Sequence, residues 1–311
     1  MKTIMLRGVL PVLPTVFHKD GEIDKEGVRA VLEYVLDAGV DGVVFPGLAS
    51  EYDYLTRKER AELVALVGEW VAGRVPFIVG ASAQNQDEIL EYASQGAKAG
   101  ACAAMILSPH SLGDDRQAIA AFFNRVGSSA GLSIMMQNAP RPMGTALDMD
   151  AICDIARDVD AIAFVKEETP PCGQRISAIL GECGESLKGV FGGAGGRYVI
   201  DELNRGASGT LPACEVAEIH VKMYRAHAAG NRVLARDLFD RALPLLNMQA
   251  VFRWRLTKEV LFRRGLINHP FTRARGPELD AADLKEVEEM LSRISDLAPT
   301  VAKQKMDAAT G

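Results

Sequence analysis

The sequence predicts a (β/α)8 barrel followed by a C-terminal helical appendage, and three observations carry that expectation. Eight short apolar runs recur before Ala229, at 8–17, 40–45, 76–79, 103–107, 132–136, 161–165, 187–191 and 206–211. Each lacks polar alternation, as strands covered on both faces do. The stretches between them carry helical periodicity, and eight strand–helix units in roughly 225 residues is the size of such a barrel. Beyond Ala229 the strand pattern stops and only helical segments follow.

The helices justify themselves one by one. Asp24 opens the first, with Val28, Val31, Leu32 and Val35 on one face and Gly39 ending it. Thr56 opens the second, with Glu59 three residues on to complete a capping box and Leu63, Leu66 and Val67 turned inward. Further helices are expected at about 87–99, 116–129, 148–157, 173–183, 197–205 and 215–229, then at 231–246, 249–264 and 280–294. A doubly wound open sheet is the alternative, distinguished by fewer strands and a reversal of strand order. No low-complexity linker interrupts the chain. The expected organisation is therefore a barrel over 1–229 carrying the active site, with 230–311 a helical region packed on it.

Composition narrows the partners. The 311 residues are 48% hydrophobic and 24% charged, enough to bury a full core. A net charge of −6 argues against nucleic acid, whose phosphates require a basic surface. No apolar run approaches the ~20 residues of a membrane helix, and the first residues lack a leader pattern, so no membrane partner is expected. Five cysteines are widely spaced with no Cys-x-x-Cys pair, which suits small core residues in a reducing, cytoplasmic setting.

In such a barrel, chemistry gathers just past the carboxyl ends of the strands. Lys166 directly follows the run 161–165 and would face the barrel mouth. Desolvation there favours a neutral amine, a nucleophile towards a keto carbon. A surface lysine ending a strand is the plain alternative. Side chains alternate along extended chain, so Glu168 should share the face of Lys166 and Glu167 should not. Glu168 is then placed either to move protons or merely to pair with the lysine. Gly47-Leu48-Ala49-Ser50-Glu51 could hold a carboxylate on backbone N–H groups near Ala49 and Ser50, although glycine turns are common. Gly192-Gly193-Ala194-Gly195-Gly196 implies unusual backbone angles or close approach to a ligand. It comes too late in the repeat for a dinucleotide fingerprint. The five histidines form no metal-ligand pattern; His110, at a strand end, is the one of interest.

Together these positions resemble the dihydrodipicolinate synthase / N-acetylneuraminate lyase family over roughly residues 8–295. The family turn Gly-Thr-Thr-Gly-Glu corresponds to Gly47-Leu48-Ala49-Ser50-Glu51, and Tyr-Asn-x-Pro to Gln137-Asn138-Ala139-Pro140. Lys-Glu corresponds to Lys166-Glu167, and Gly209-Thr210-Leu211 also falls in place. The resemblance implies that Lys166 forms an imine with a 2-keto acid, with no metal or organic cofactor, in a homotetramer built of dimers. It also marks departures. The tyrosine that relays protons is Gln137 here, its supporting threonine is Leu48, and no tyrosine stands near His110-Ser111. The arginine expected after Tyr-Asn-x-Pro is replaced by Pro142, with Arg141 one residue away.

These departures are similar to those of the L-2-keto-3-deoxyarabonate dehydratase branch, in Met135-Met136-Gln137-Asn138-Ala139-Pro140 and in Lys166-Glu167-Glu168-Thr169-Pro170. That branch keeps a tyrosine where His110 stands here. The implied reaction is dehydration of a 2-keto-3-deoxy acid: Lys166 forms the imine, Glu168 moves the protons, and Gln137 orients a hydroxyl or water. Gly193, Thr210 and Leu211 shape the wall. Aldol cleavage or condensation through the same imine is the near alternative, and a non-catalytic keto-acid binder the distant one.

Overall fold

The computed structural model describes residues 5–300. Eight parallel strands form one sheet: β1 (Gly8–Val9), β2 (Val43–Phe45), β3 (Phe77–Gly80), β4 (Ala103–Leu107), β5 (Ser133–Asn138), β6 (Ile162–Glu167), β7 (Gly189–Gly192) and β8 (Gly209–Thr210). From β2 to β8 each strand pairs with the next in sequence, and β1 pairs with β8. A bridge from Val12 to Val44 completes the circle between the β1 and β2 segments, and one from Val12 to Ala213 extends the contact with β8. The expected (β/α)8 barrel is present.

The helices α1 (Lys25–Asp37), α2 (Arg57–Val71), α3 (Gln86–Lys98), α4 (Arg116–Ala130), α5 (Met149–Asp158), α6 (Cys172–Cys183), α7 (Val199–Asn204) and α8 (Ala217–Ala228) alternate with the strands. Asp24 caps α1 by accepting from Gly27 N–H, and Thr56 and Glu59 form the capping box of α2. Apolar residues on the helix faces and on the outward face of the strands make one continuous core. A second cluster, including Leu10, Ile78, Met105, Met135, Phe164, Phe191 and Leu211, fills the barrel interior. The interior is therefore packed, and ligand space is confined to the mouth.

Three helices follow: α9 (Arg232–Phe252), α10 (Trp254–Arg263) and α11 (Ala281–Arg293). They share a third core with α7 and α8 through Ile219, Met223, Leu238, Leu245, Leu256 and Val260. The expected break near residue 247 is absent. α9 runs on through Pro244, because buried Leu238, Ala242, Leu245 and Leu246 anchor it on both sides of the proline. The break falls instead at Arg253, whose φ of 52° and ψ of −125° cannot continue a helix.

One expectation is corrected. Cys153 on α5 and Cys183 on α6 form a disulfide, with Cα atoms 5.3 Å apart, so not all five cysteines are thiols. Adjacent helices of the outer layer bring the two together, although 30 residues separate them in sequence. Cys102, Cys172 and Cys214 are free. No described helix is long and apolar enough to cross a membrane.

Candidate active site

Lys166 shares the inward face of β6 with Phe164, two residues before it, and is only 4% exposed. Gln137 on β5 is its register partner across the sheet. Chain alternation sends Glu167 outward. There its carboxylate accepts from Asn138 Nδ2 at 2.9 Å and Thr169 N at 2.6 Å and lies 3.2 Å from Arg175 Nε. Glu168 returns to the inner face, with Oε1 3.2 Å from Lys166 Nζ. The two neighbouring glutamates thus do different work: one ties α6 to the strand end, the other faces the lysine.

Glu168 is held from three sides. Gln137 Nε2 donates to Oε2 at 2.6 Å, Ala194 N–H donates to Oε1 at 2.8 Å, and the Lys166 ammonium lies alongside. Burial pushes its pKa up, but the lysine charge and these donors together hold it below the ordinary carboxylate value. Gly193 makes this possible. A Cβ there would lie 2.4 Å from Glu168 Oε1, so the glycine is needed for space. Gly193→Ala is expected to displace the carboxylate and cut turnover by about tenfold to a hundredfold. Steady-state kinetics beside a melting curve would separate this from loss of fold.

The turn after β2 departs from expectation in one detail. Ser50 N–H donates to the Gly47 carbonyl at 2.8 Å, and its hydroxyl accepts from Gly47 N–H while donating to the Leu13 carbonyl. Ser50 therefore builds the turn and does not line the cavity. Leu48 and Ala49 do line it, and their N–H groups donate to no acceptor among the described residues. Glu51 closes the turn in a left-handed conformation (φ 55°). Its carboxylate pairs with Lys258 Nζ of α10 and accepts from Ala274 N at 2.7 Å. Both side chains of that pair are fully buried, and Lys258 also donates to the Phe271 carbonyl at 2.9 Å. Burial brings the Lys258 pKa down to about 8.

Just past β8, Leu211 lines the cavity, whereas Thr210 does not, and its buried hydroxyl is unpartnered. The cavity itself measures about 300 Å³ and brings Lys166, Glu168, Ala49 and Leu211 together. His110 stands in an adjoining groove, away from Lys166. Sequence reasoning missed the far wall: Arg197, Gln249, Arg253 and Trp254 reach the cavity from the loop after β7 and from the α9–α10 junction. The helical periodicity of 231–264 marked those helices without marking which face meets the barrel mouth. Among the described residues, no three His, Cys, Asp or Glu side chains are placed to hold a metal ion.

Glu202 was also missed. It is fully buried on α7 against Gly192, with neither carboxylate oxygen hydrogen-bonded. Burial, then the negative charge of Glu168, raises its pKa to about 8. A carboxyl raised in the folded state favours folding at low pH, and that contribution is lost as pH rises from the ordinary value of 4.5 towards about 8. The melting temperature should therefore fall as pH rises from 4.5 to about 8, and Glu202→Gln should flatten the slope. An unchanged slope in that variant would place the effect elsewhere.

Comparison with known proteins now decides the family. The model of the dihydrodipicolinate synthetase family matches residues 5–294. The chain belongs to that family. Among relatives of this dihydrodipicolinate synthetase family chain, an L-2-keto-3-deoxyarabonate dehydratase of Azospirillum brasilense is 29% identical over 262 residues, covering 83% of this chain and 84% of that protein. A 4-hydroxy-tetrahydrodipicolinate synthase of Methanothrix thermoacetophila is 26% identical over 296 residues, covering 94% and 98%. The crystal structure of dihydrodipicolinate synthase from Rhodopseudomonas palustris superposes with a TM-score of 0.83 at 28% identity, covering 93% of this chain and 97% of that one. The protein is thus an enzyme of the lyase and aldolase class.

Proposed function

We propose that this enzyme dehydrates a 2-keto-3-deoxy sugar acid through an imine on Lys166. The N–H groups of Leu48 and Ala49 hold the substrate carboxylate. The Lys166 ammonium gives one proton to solvent, the neutral amine adds to the C2 carbonyl, and the carbinolamine takes a proton back as it loses water, leaving a protonated imine. The positive nitrogen acidifies C3. Glu168 removes a C3 proton to form an enamine, then returns that proton to the C4 hydroxyl as it leaves as water. Hydrolysis of the resulting unsaturated imine frees Lys166. Gln137 holds Glu168 and can orient a hydroxyl or water, but its amide cannot act as an acid or base near neutral pH.

The observation that carries this reading is the 3.2 Å approach of Glu168 to Lys166 beside an amide where the family relay has a phenol. One carboxylate is then the group within reach of C3. The dehydratase relative points the same way. Aldol chemistry on the same imine is the second reading, favoured by the synthase relatives. On the same proposal the enzyme works in the cytoplasm as a homotetramer, on a free small molecule and with no cofactor. The test is incubation with 2-keto-3-deoxy aldonic acids and mass analysis of products. Loss of one water supports dehydration, whereas release of pyruvate and an aldehyde supports the aldol reading.

A further inference from the structure

Arg253 and Arg197 face the cavity from opposite segments, the α9–α10 junction and the loop after β7. Neither guanidinium has a carboxylate within 4.0 Å among the described residues. The contrast with other shielded arginines is sharp. Arg60 donates to the Gly80 and Ser82 carbonyls, Arg175 pairs with Glu167, and Arg264 pairs with Glu218. Among the described residues, the one hydrogen-bond partner of the Arg253 guanidinium is the thioether of Met143. It feels the like charge of Arg197 as well as the attraction of Glu168, and partial burial lowers its pKa.

The backbone is also shaped around this pair. Arg253 adopts φ 52° and ψ −125°, a conformation that glycine accepts far more readily than arginine. Gly195 (φ 68°) lies between the pair's neighbours: a Cβ there would be 2.8 Å from Gln249 Oε1 and 3.4 Å from Arg197 Nη1. Two half-buried cations of like sign, drawn together without a protein counter-ion, repel unless an anion enters. The substrate carboxylate cannot be that anion, because it sits at the Leu48 and Ala49 N–H groups while C2 is bound to Lys166.

We infer that Arg253 and Arg197 form a distal anion subsite, so that the substrate is a 2-keto acid with a second anionic group, a carboxylate or a phosphate, at its far end. This rests on the imine reading and sharpens it from sugar acids in general to dianionic ones. Arginine suits the role because its planar fork binds either oxyanion in two-point fashion. A cavity of about 300 Å³ accommodates a chain of five or six carbons.

Borohydride trapping at increasing keto-acid concentration tests the subsite without requiring turnover. The probes are 2-oxoadipate, 2-oxohexanoate and a six-carbon 2-oxo acid ending in phosphate, with pyruvate as the control for imine formation. The expected result is half-maximal trapping at a concentration at least tenfold lower for one dianionic probe than for 2-oxohexanoate. That preference should collapse below threefold in Arg253→Gln and in Arg197→Gln, both checked by melting curves. Whichever dianion is preferred identifies the distal group. Equal trapping of all three six-carbon probes would overturn the subsite while leaving the imine intact, as would a preference retained in both variants. Absence of any adduct, pyruvate included, would overturn the imine reading and this inference with it.

Discussion

Glu168→Gln is expected to leave imine formation in place while lowering dehydration by about a hundredfold to ten-thousandfold. The amide keeps the size of the side chain and can still meet Gln137, but it can no longer accept the C3 proton. Pyruvate isolates the step, because its methyl protons exchange with solvent only through the enamine. In deuterated water, proton NMR should show exchange by the parent enzyme and almost none by the variant. Both should still be trapped by borohydride on Lys166. Retained exchange in Glu168→Gln would mean that another base, or a water held by Gln137, faces C3.

Lys258→Met should be the most damaging single change to the fold. Lys258 and Glu51 form a fully buried pair that ties α10 to the turn after β2. Removing one partner leaves Glu51 charged and buried, with Ala274 N–H still donating to it. Breaking such a pair costs about 3–5 kcal/mol. At roughly 2–4 °C per kcal/mol for a large domain, the melting temperature should drop by roughly 6–20 °C. The double variant with Glu51→Gln should recover part of that loss, since the uncompensated charge is gone. A drop of one or two degrees in the single variant would show that the pair carries little of the fold. Because the same turn presents the Leu48 and Ala49 N–H groups, substrate affinity should suffer alongside stability.

Much of this molecule is legible in one dimension because the barrel is built from local rules. Apolar runs without alternation mark strands covered on both faces, and Thr56 with Glu59 marks a helix start through a bond between neighbours. Lys166 is legible for the same reason: it ends an apolar run, and strand ends are where this fold exposes chemistry. Alternation then separates Glu168 from Glu167, as their partners show.

What escaped depends on long-range meeting. Glu51 and Lys258 are 207 residues apart, and nothing near either residue announces the other. Cys153 and Cys183 come together only because α5 and α6 are neighbours in the outer layer. Ser50 was expected among the groups that hold the substrate carboxylate, yet its N–H and hydroxyl are taken up by Gly47 and Leu13. The helix break expected near residue 247 is absent because packing carries α9 on to Phe252, so Arg253, at the true break, was hidden from view. The far wall of the site is tertiary in origin.

The account stands on the bond between Lys166 and the substrate. The measurement that tests it most directly is borohydride reduction in the presence of pyruvate, followed by intact mass and peptide mapping. The predicted result is one adduct per chain, on Lys166, lost in Lys166→Ala. Lys258 is the informative alternative, since burial lowers its pKa to about 8. An adduct there, or none anywhere, would contradict the assignment of Lys166 as the residue that holds the substrate.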